Sequence, residues 1–400
     1  MLPRARVLLA FLALVCLIVP TGASRVVAAE PSGKPIVIGT AVSLTGRFAD
    51  GGKFTLQGYQ LWAEVENAHG GLLGRPVEIK YYDDQSDPTT GVRLYERLIN
   101  EDKVDLLAGP YGSALTAPTS NVAQRYKVAM ICPEDAAPAT FMRGLTVVFQ
   151  GLPVAVRYVE GVLAMAKDKG YKTVAFIGED SPFPHAIASA VPDLAKKYGL
   201  SVVYTEFYPP NNSDFSATVQ KVKAANPDVV LAGAFVPDSI GITRGLKQVN
   251  FAPKMLYEAI GGSDPAFGAA VGADADGVMA TTAWSAGLKT AGNAEFVKAF
   301  IAKYNRPSDY HSASAYAGLD VMAEAVKRAG GINQDKIVAN LGSLTMPTIL
   351  GTYKVDPATG IQTGYEAYVL QWQGGKQVLI YPQSHAQAKP LIPLAGWQGR

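Results

Sequence analysis

The sequence predicts an α/β fold made of two units in series, each a largely parallel sheet covered by helices. Three observations predict it. From Ile36 onward, short β-branched runs alternate with longer segments whose apolar residues recur every three or four positions. The alternation restarts after Pro153. The 400 residues also exceed what one hydrophobic core organises, given about 100–200 residues per domain.

The first segment stands apart from the fold. Arg4 and Arg6 precede an apolar run over 7–19, Pro20 and Gly22 break it, and Val27, Ala28 and Ala29 offer small residues for a signal peptidase. Residues 1–29 therefore read as a secretory leader. The run is short of the roughly 20 residues that a membrane-spanning helix needs. Val15 before Cys16 is too bulky for a lipidation site. Removing the leader takes Lys+Arg from 36 to 33 against 34 acidic residues, a net charge of −1 instead of +2. With 18% charged residues of mixed sign and no like-charge block, neither a nucleic-acid-binding arm nor a disordered tail is indicated. Cys132 is the one thiol outside the leader, so no internal disulfide is expected and the residue reads as a small buried hydrophobe.

The elements follow in order. Strands are expected at 36–38, 77–81, 104–107 and 128–131. Between them, Phe54, Gly58, Leu61, Trp62 and Val65 share one helical face, and Val92, Tyr95, Leu98 and Ile99 share another. The second unit has a helix carrying Val156, Val159, Leu163 and Ala166, then strands at 173–177, 202–207 and 229–231 separated by helices. A strand at 277–281, helices at 295–304 and 312–328, and short C-terminal strands at 353–355, 367–371 and 378–380 read as returns to each unit. That order implies parallel sheets with both faces covered. It also implies a chain that crosses between the units more than once.

Several motifs resemble the type I periplasmic binding proteins of the leucine/isoleucine/valine-binding class. They are Ser43-Leu44-Thr45-Gly46 after the first strand, the helix end from Glu66 to Gly74, Asp83-Asp84 with Asp87-Pro88, and Gly109-Pro110-Tyr111-Gly112-Ser113. Pro227-Asp228, Gly272 with Asp276-Gly277-Val278, Ala315-Tyr316-Ala317 and Gly351-Thr352-Tyr353 continue the match, over roughly 34–385. The resemblance implies two Rossmann-like lobes joined by a three-stranded hinge, with the ligand in the interlobe cleft. Lobe 1 is expected over 34–151 plus 282–346 and lobe 2 over 152–281 plus 347–390, with crossings near Gly151, Thr282 and Pro347. It further implies a monomeric periplasmic protein serving an ABC transporter permease in the inner membrane, with a small amino acid or organic acid as ligand. No cofactor and no metal is implied. A ligand-sensing role in signalling is the alternative, and an aromatic acid or amide the alternative ligand.

The resemblance also points to site residues. Ser113 opens a helix candidate over 114–126, where unpaired N–H groups and the dipole suit a carboxylate; on its own it also fits a plain N-cap. Glu134, Asp135 and Ala136 follow the fourth strand, at the edge where open α/β sheets place ligands. Ala136 replaces the threonine of branched-chain binders, and the two acids also read as salt-bridged surface residues. Glu258 falls at the family's position for the ligand ammonium, or is a solvated strand end. Phe183 and Phe235 stand where relatives carry tyrosines, making the pocket more apolar. Phe48, Trp284 and Tyr310 lie on other segments expected to line the cleft. Asp83-Asp84 reads as a turn-stabilising pair. Enzyme signals are absent: the four histidines are scattered, and no phosphate-binding glycine loop or nucleophile elbow occurs.

Overall fold

The structure, a computed structural model, describes residues 30–398. The leader read at 1–29 lies outside them. Among the described residues no helix is long and apolar enough to cross a membrane.

The first unit runs β1 (Ile36–Val42), α1 (Ala49–Ala68), β2 (Val77–Asp83), α2 (Pro88–Asn100), β3 (Leu106–Ala108), α3 (Ser113–Tyr126), β4 (Met130–Cys132), the single turn α4 (Pro138–Phe141) and β5 (Val148–Gln150). Its sheet has the order β2-β1-β3-β4-β5 and is parallel throughout, with Ile36 opposite Val77 and Ile38 opposite Leu106. Local chemistry starts its helices. Asp87 caps α2 by accepting the Thr90 N–H at 2.7 Å, with Pro88 in the first turn, where a missing N–H costs nothing. Asp83 accepts the amides of Leu44 and Gln85, and Asp84 accepts the Ser43 hydroxyl at 2.6 Å, so the pair fastens the β1–α1 loop.

The second unit runs α5 (Glu160–Asp168), β6 (Thr173–Glu179), α6 (Pro182–Tyr198), β7 (Ser201–Tyr208), α7 (Ser216–Ala225), β8 (Val229–Gly233), α8 (Val236–Gln248), β9 (Met255–Tyr257), α9 (Pro265–Val271) and β10 (Met279–Thr282). The chain then forms α10 (Asn293–Tyr304), α11 (Tyr310–Ala329) and α12 (Gln334–Ser343), the ribbon β11 (Thr345–Thr348) and β12 (Gly351–Lys354), and the hairpin β13 (Tyr368–Gln373) and β14 (Lys376–Tyr381). The hairpin extends the second sheet to β14-β13-β10-β9-β8-β6-β7, with β13 antiparallel to β10. Strands β6 and β8 are buried throughout β8 and nearly so in β6, as a sheet covered on both faces requires.

Helix α11 returns to the first unit and packs along α1. Small residues let the backbones approach there: Gly58 of α1 lies against Ala315 and the Ser312 backbone. Gly58 of α1 sits so close that an added Cβ would lie 2.3 Å from the Ser312 carbonyl oxygen. The Trp62 indole donates to Asp320 at 2.8 Å on the same seam.

Two expectations change. The helix expected to carry Val156 begins only at Glu160, after a 3-10 turn at Ala155–Arg157. A crossing is expected near Pro347, but β11 and β12 form a two-stranded sheet of their own, and the next strand to join the second sheet is β13. The intervening stretch covers β5, the edge strand of the first sheet. Gln150 donates its amide to the Gly360 carbonyl at 2.9 Å and accepts the Gln362 amide at 3.0 Å, while the Tyr353 hydroxyl donates to Leu341 of α12. An uncovered edge would leave these groups unpaired.

This packing predicts that Gly58→Ala lowers stability by about 1–3 kcal/mol, the range for overpacking a filled contact. The melting temperature should fall by several degrees. An unchanged melting curve would contradict the close α1–α11 approach.

Candidate functional site

Loops following the carboxyl ends of strands from both sheets meet around one enclosed pocket. From the first unit come Tyr111, Gly112 and Ser113 after β3, Glu134 and Ala136 after β4, and Leu152 after β5; Tyr310 and His311 join them from the start of α11. Tyr158 comes from the crossing before α5, and Phe183, Phe235 and Ile260 follow β6, β8 and β9. This is where open α/β sheets place ligands. With its walls as placed the cavity is small, about 10 Å³, so a ligand enters only when the walls part.

Five of the lining residues carry phenyl or phenol rings. Phe235 packs tilted against Phe183 with centroids 5.7 Å apart, and Phe183 packs edge-on to Tyr158 at 5.8 Å. Across the cleft, Phe48 meets Phe235 edge-on at 4.9 Å and Tyr111 at 5.9 Å. Gly51 leaves room for this cluster, since a Cβ there would strike the Tyr111 ring at 2.2 Å. Behind the rings, the Arg47 guanidinium lies 4.7 Å from the Phe48 ring centroid and pairs across the cleft with Glu179 and, at 3.4 Å, with Asp238. Both carboxylates are almost completely buried. Removing one partner of such a pair leaves an uncompensated charge and costs about 3–5 kcal/mol.

The polar groups are few. Ser113 is the first residue of α3, and its Oγ accepts the Ala137 amide at 3.3 Å. Gly112 before it adopts φ +82°, a conformation that favours glycine. Glu134 is fully paired: Oε2 lies 2.6 Å from His311 Nδ1, and Oε1 accepts the Ser314 hydroxyl. Burial raises the Glu134 carboxyl, and His311 opposes the rise. The His311 imidazole loses solvation by burial, but Glu134, Asp309 and Asp264 outweigh that loss and raise it above its ordinary value.

The structure sorts the residues singled out in the sequence. Ser113, Glu134, Ala136, Phe183, Phe235 and Tyr310 share the pocket wall. Phe48 supports the wall from behind. Asp135 does not line this pocket: it accepts the Ala137 amide at 2.8 Å, is bonded to Ser113 and Thr140, and fastens the loop, with its carboxyl pushed up by burial to about 6. Neither does Trp284: its indole donates to Asn293 at 2.6 Å, and it lines an adjoining cavity with Asp309, Tyr310 and Gln377. Glu258 is the third such residue. It is fully buried beneath α8, accepts the Thr243 hydroxyl at 3.1 Å, and burial raises its carboxyl well above the usual range. Ser239 and Asp238 lie beside it, its Oε2 is buried with no hydrogen-bond partner among the described residues, and it is not among the residues lining this pocket.

His311, Tyr158, Leu152 and Ile260 were missed. The Glu134 partner of His311 lies 177 positions away in sequence. The capping box of Asp309 and Ser312 was readable, and it marks the helix start that aims the histidine. Among the described residues no group of acidic, histidine and cysteine side chains is arranged to hold a metal. Cys132 is buried in β4, and burial raises its thiol, so it is inert packing.

Comparison with known proteins agrees with this architecture. A family model described as periplasmic binding protein matches residues 35–377. The Leu/Ile/Val-binding protein BraC3 of Rhizobium johnstonii is 29% identical over 352 residues, covering 86% of this chain and 93% of that protein. The leucine-binding protein LivK of Thermotoga maritima superposes with a TM-score of 0.79 at 20% identity, over 86% of this chain and 97% of that one. A solute-binding protein of R. palustris in complex with benzoate superposes with a TM-score of 0.76 at 20% identity, over 87% and 96%.

The placement of Glu258 predicts that Glu258→Gln leaves ligand affinity within about twofold of the wild type. A carboxyl whose pKa rises on folding stabilises the protein below its unfolded value, about 4.3, and that contribution is lost as pH climbs toward the folded value. Wild-type stability should therefore fall relative to the variant as pH rises from 4 to 7, measured by urea titration. Loss of binding in the variant would put Glu258 in the site.

Proposed function

Because the chain belongs to the periplasmic binding protein family, we propose that it is the extracytoplasmic substrate-binding component of an ABC uptake transporter. It binds a small carboxylate with an apolar body by closure of its two lobes. In this reading it acts as a monomer, hands its ligand to an inner-membrane permease and catalyses no reaction. The single observation that carries the reading is the interlobe pocket, where apolar side chains from both sheets surround the start of α3 at Ser113. An aromatic body suits rings, and the helix start suits an anion.

Closure follows from the connections. Residues 34–151 with 282–365 form one body and 152–281 with 366–390 the other, joined near Gly151, Thr282 and Glu366. The Arg47 pairs with Glu179 and Asp238 form only when these bodies meet. Opening would free the pocket to solvent, and ligand would favour the closed form through contacts with both walls.

A second reading concerns the ligand alone. Branched-chain amino acids are what BraC3 is named for. Five aromatic rings line the pocket and Glu258 is not among its lining residues, which favours an aromatic or other amine-free acid.

The test is a thermal-shift panel of L-leucine, L-phenylalanine, 4-methylpentanoate, benzoate and benzamide. At a hundredfold excess over its Kd, a ligand stabilises the folded state by about 2.7 kcal/mol. At least one carboxylate should raise the melting temperature while benzamide does not. No shift with any of them, or an equal shift with benzamide, overturns the carboxylate reading.

A further inference from the structure

His311 is buried, whereas His69, His185 and His385 are exposed. Its side chain is held from three directions. Glu134 takes Nδ1 at 2.6 Å, and its other oxygen is held by Ser314, one turn further along α11. The Tyr310 ring lies over the imidazole with centroids 3.9 Å apart, and Tyr111 meets it edge-on at 4.9 Å. The ring lines the pocket, and Nε2 makes no hydrogen bond among the described residues. Beside it, α3 begins at Ser113, and the first amides of a helix have no partners within the helix.

We propose that His311, held as an imidazolium by Glu134, donates its Nε2–H to the ligand carboxylate and, with the first amides of α3, forms the anion-reading end of the pocket. This rests on the carboxylate reading above. A neutral imidazole with its proton on Nδ1 would present a lone pair at Nε2 and select a donor instead. The surroundings favour the cation. Glu134 from the β4 loop, Asp309 from the start of α11 and Asp264 from the cap of α9 all act on it with negative charge. Aromatic faces also favour a cation lying against them. Arg306 acts on Asp264 rather than on the ring. With both its oxygens engaged, Glu134 is a positioning residue that fixes the ring and its charge.

The pH dependence has one sign. As pH rises, His311 loses its proton, and Asp309, whose carboxyl is pushed up to about 7, gains charge. Each change makes the site less favourable to an anion, so carboxylate affinity should fall between pH 6 and pH 8.5.

Two readouts test the proposal. Nitrogen-15 spectra of histidine-labelled wild-type protein, assigned by loss of one ring in His311→Gln, should show both His311 nitrogens protonated at pH 7. In Glu134→Gln the same ring should deprotonate at a lower pH. A neutral His311 ring at pH 7 overturns the proposal whether or not any probe binds. Calorimetry with benzoate and 4-methylpentanoate on folded His311→Gln, checked by circular dichroism, should show at least tenfold weaker binding and a shallower pH dependence. Affinity unchanged in the variant also overturns it. Failure of every carboxylate to bind wild-type protein, with the ring doubly protonated, would instead defeat the ligand class proposed for the pocket.

Discussion

Parallel strands all end at the same edge of a sheet, and that constraint governs the rest of the molecule. The loops after β3, β4 and β5 must gather at one edge of the first sheet, and those after β6, β8 and β9 at one edge of the second. Such edges expose loop amides and helix starts, which need partners once water is removed. Facing the two edges together makes a cleft whose polar groups can be satisfied by a ligand or by the opposite lobe. Arg47 is the clearest case. It enters from the first lobe between Glu179 and Asp238, and pairs with both.

The same constraint divides the polar groups by job. Asp83, Asp84, Asp135 and Asp309 fasten loops by accepting nearby amides. Glu258 lies under α8, where burial raises its carboxyl, and it accepts the Thr243 hydroxyl, tying β9 to that helix. In the proposed reading, the start of α3, Ser113 and the Glu134–His311 pair make the anion end of the pocket, and Phe183, Phe235, Tyr158 and Tyr310 shape the rest.

The order of elements was legible because parallel α/β sheets write it as alternating periods, as at 77–81 and 173–177 against the face of α1. The pocket wall was legible in part: Ser113 from its place at a helix start, Glu134 and Ala136 from the strand end before them, and Phe183 and Phe235 through the family resemblance. Positions whose role depends on rotation about a strand end were not legible. Asp135 and Glu134 are adjacent, yet one faces inward and the other fastens the loop. Glu258 differs from Ile260 by two positions, which decides between α8 and the pocket. His311 needed a partner from another lobe segment to acquire its meaning. The place of β11 and β12 was hidden because they look like lobe-2 strands until the edge strand β5 is seen to need cover.

The most direct test is a crystal structure of the protein with a carboxylate selected by thermal shift. The account predicts the ligand body between Phe183, Phe235 and Tyr310, with its carboxylate within hydrogen-bond distance of the α3 amides and His311 Nε2, and the Arg47–Glu179 contact closed across the cleft. A ligand seated instead in the cavity beside Trp284 and Asp309, or one whose amine reaches Glu258, would contradict it.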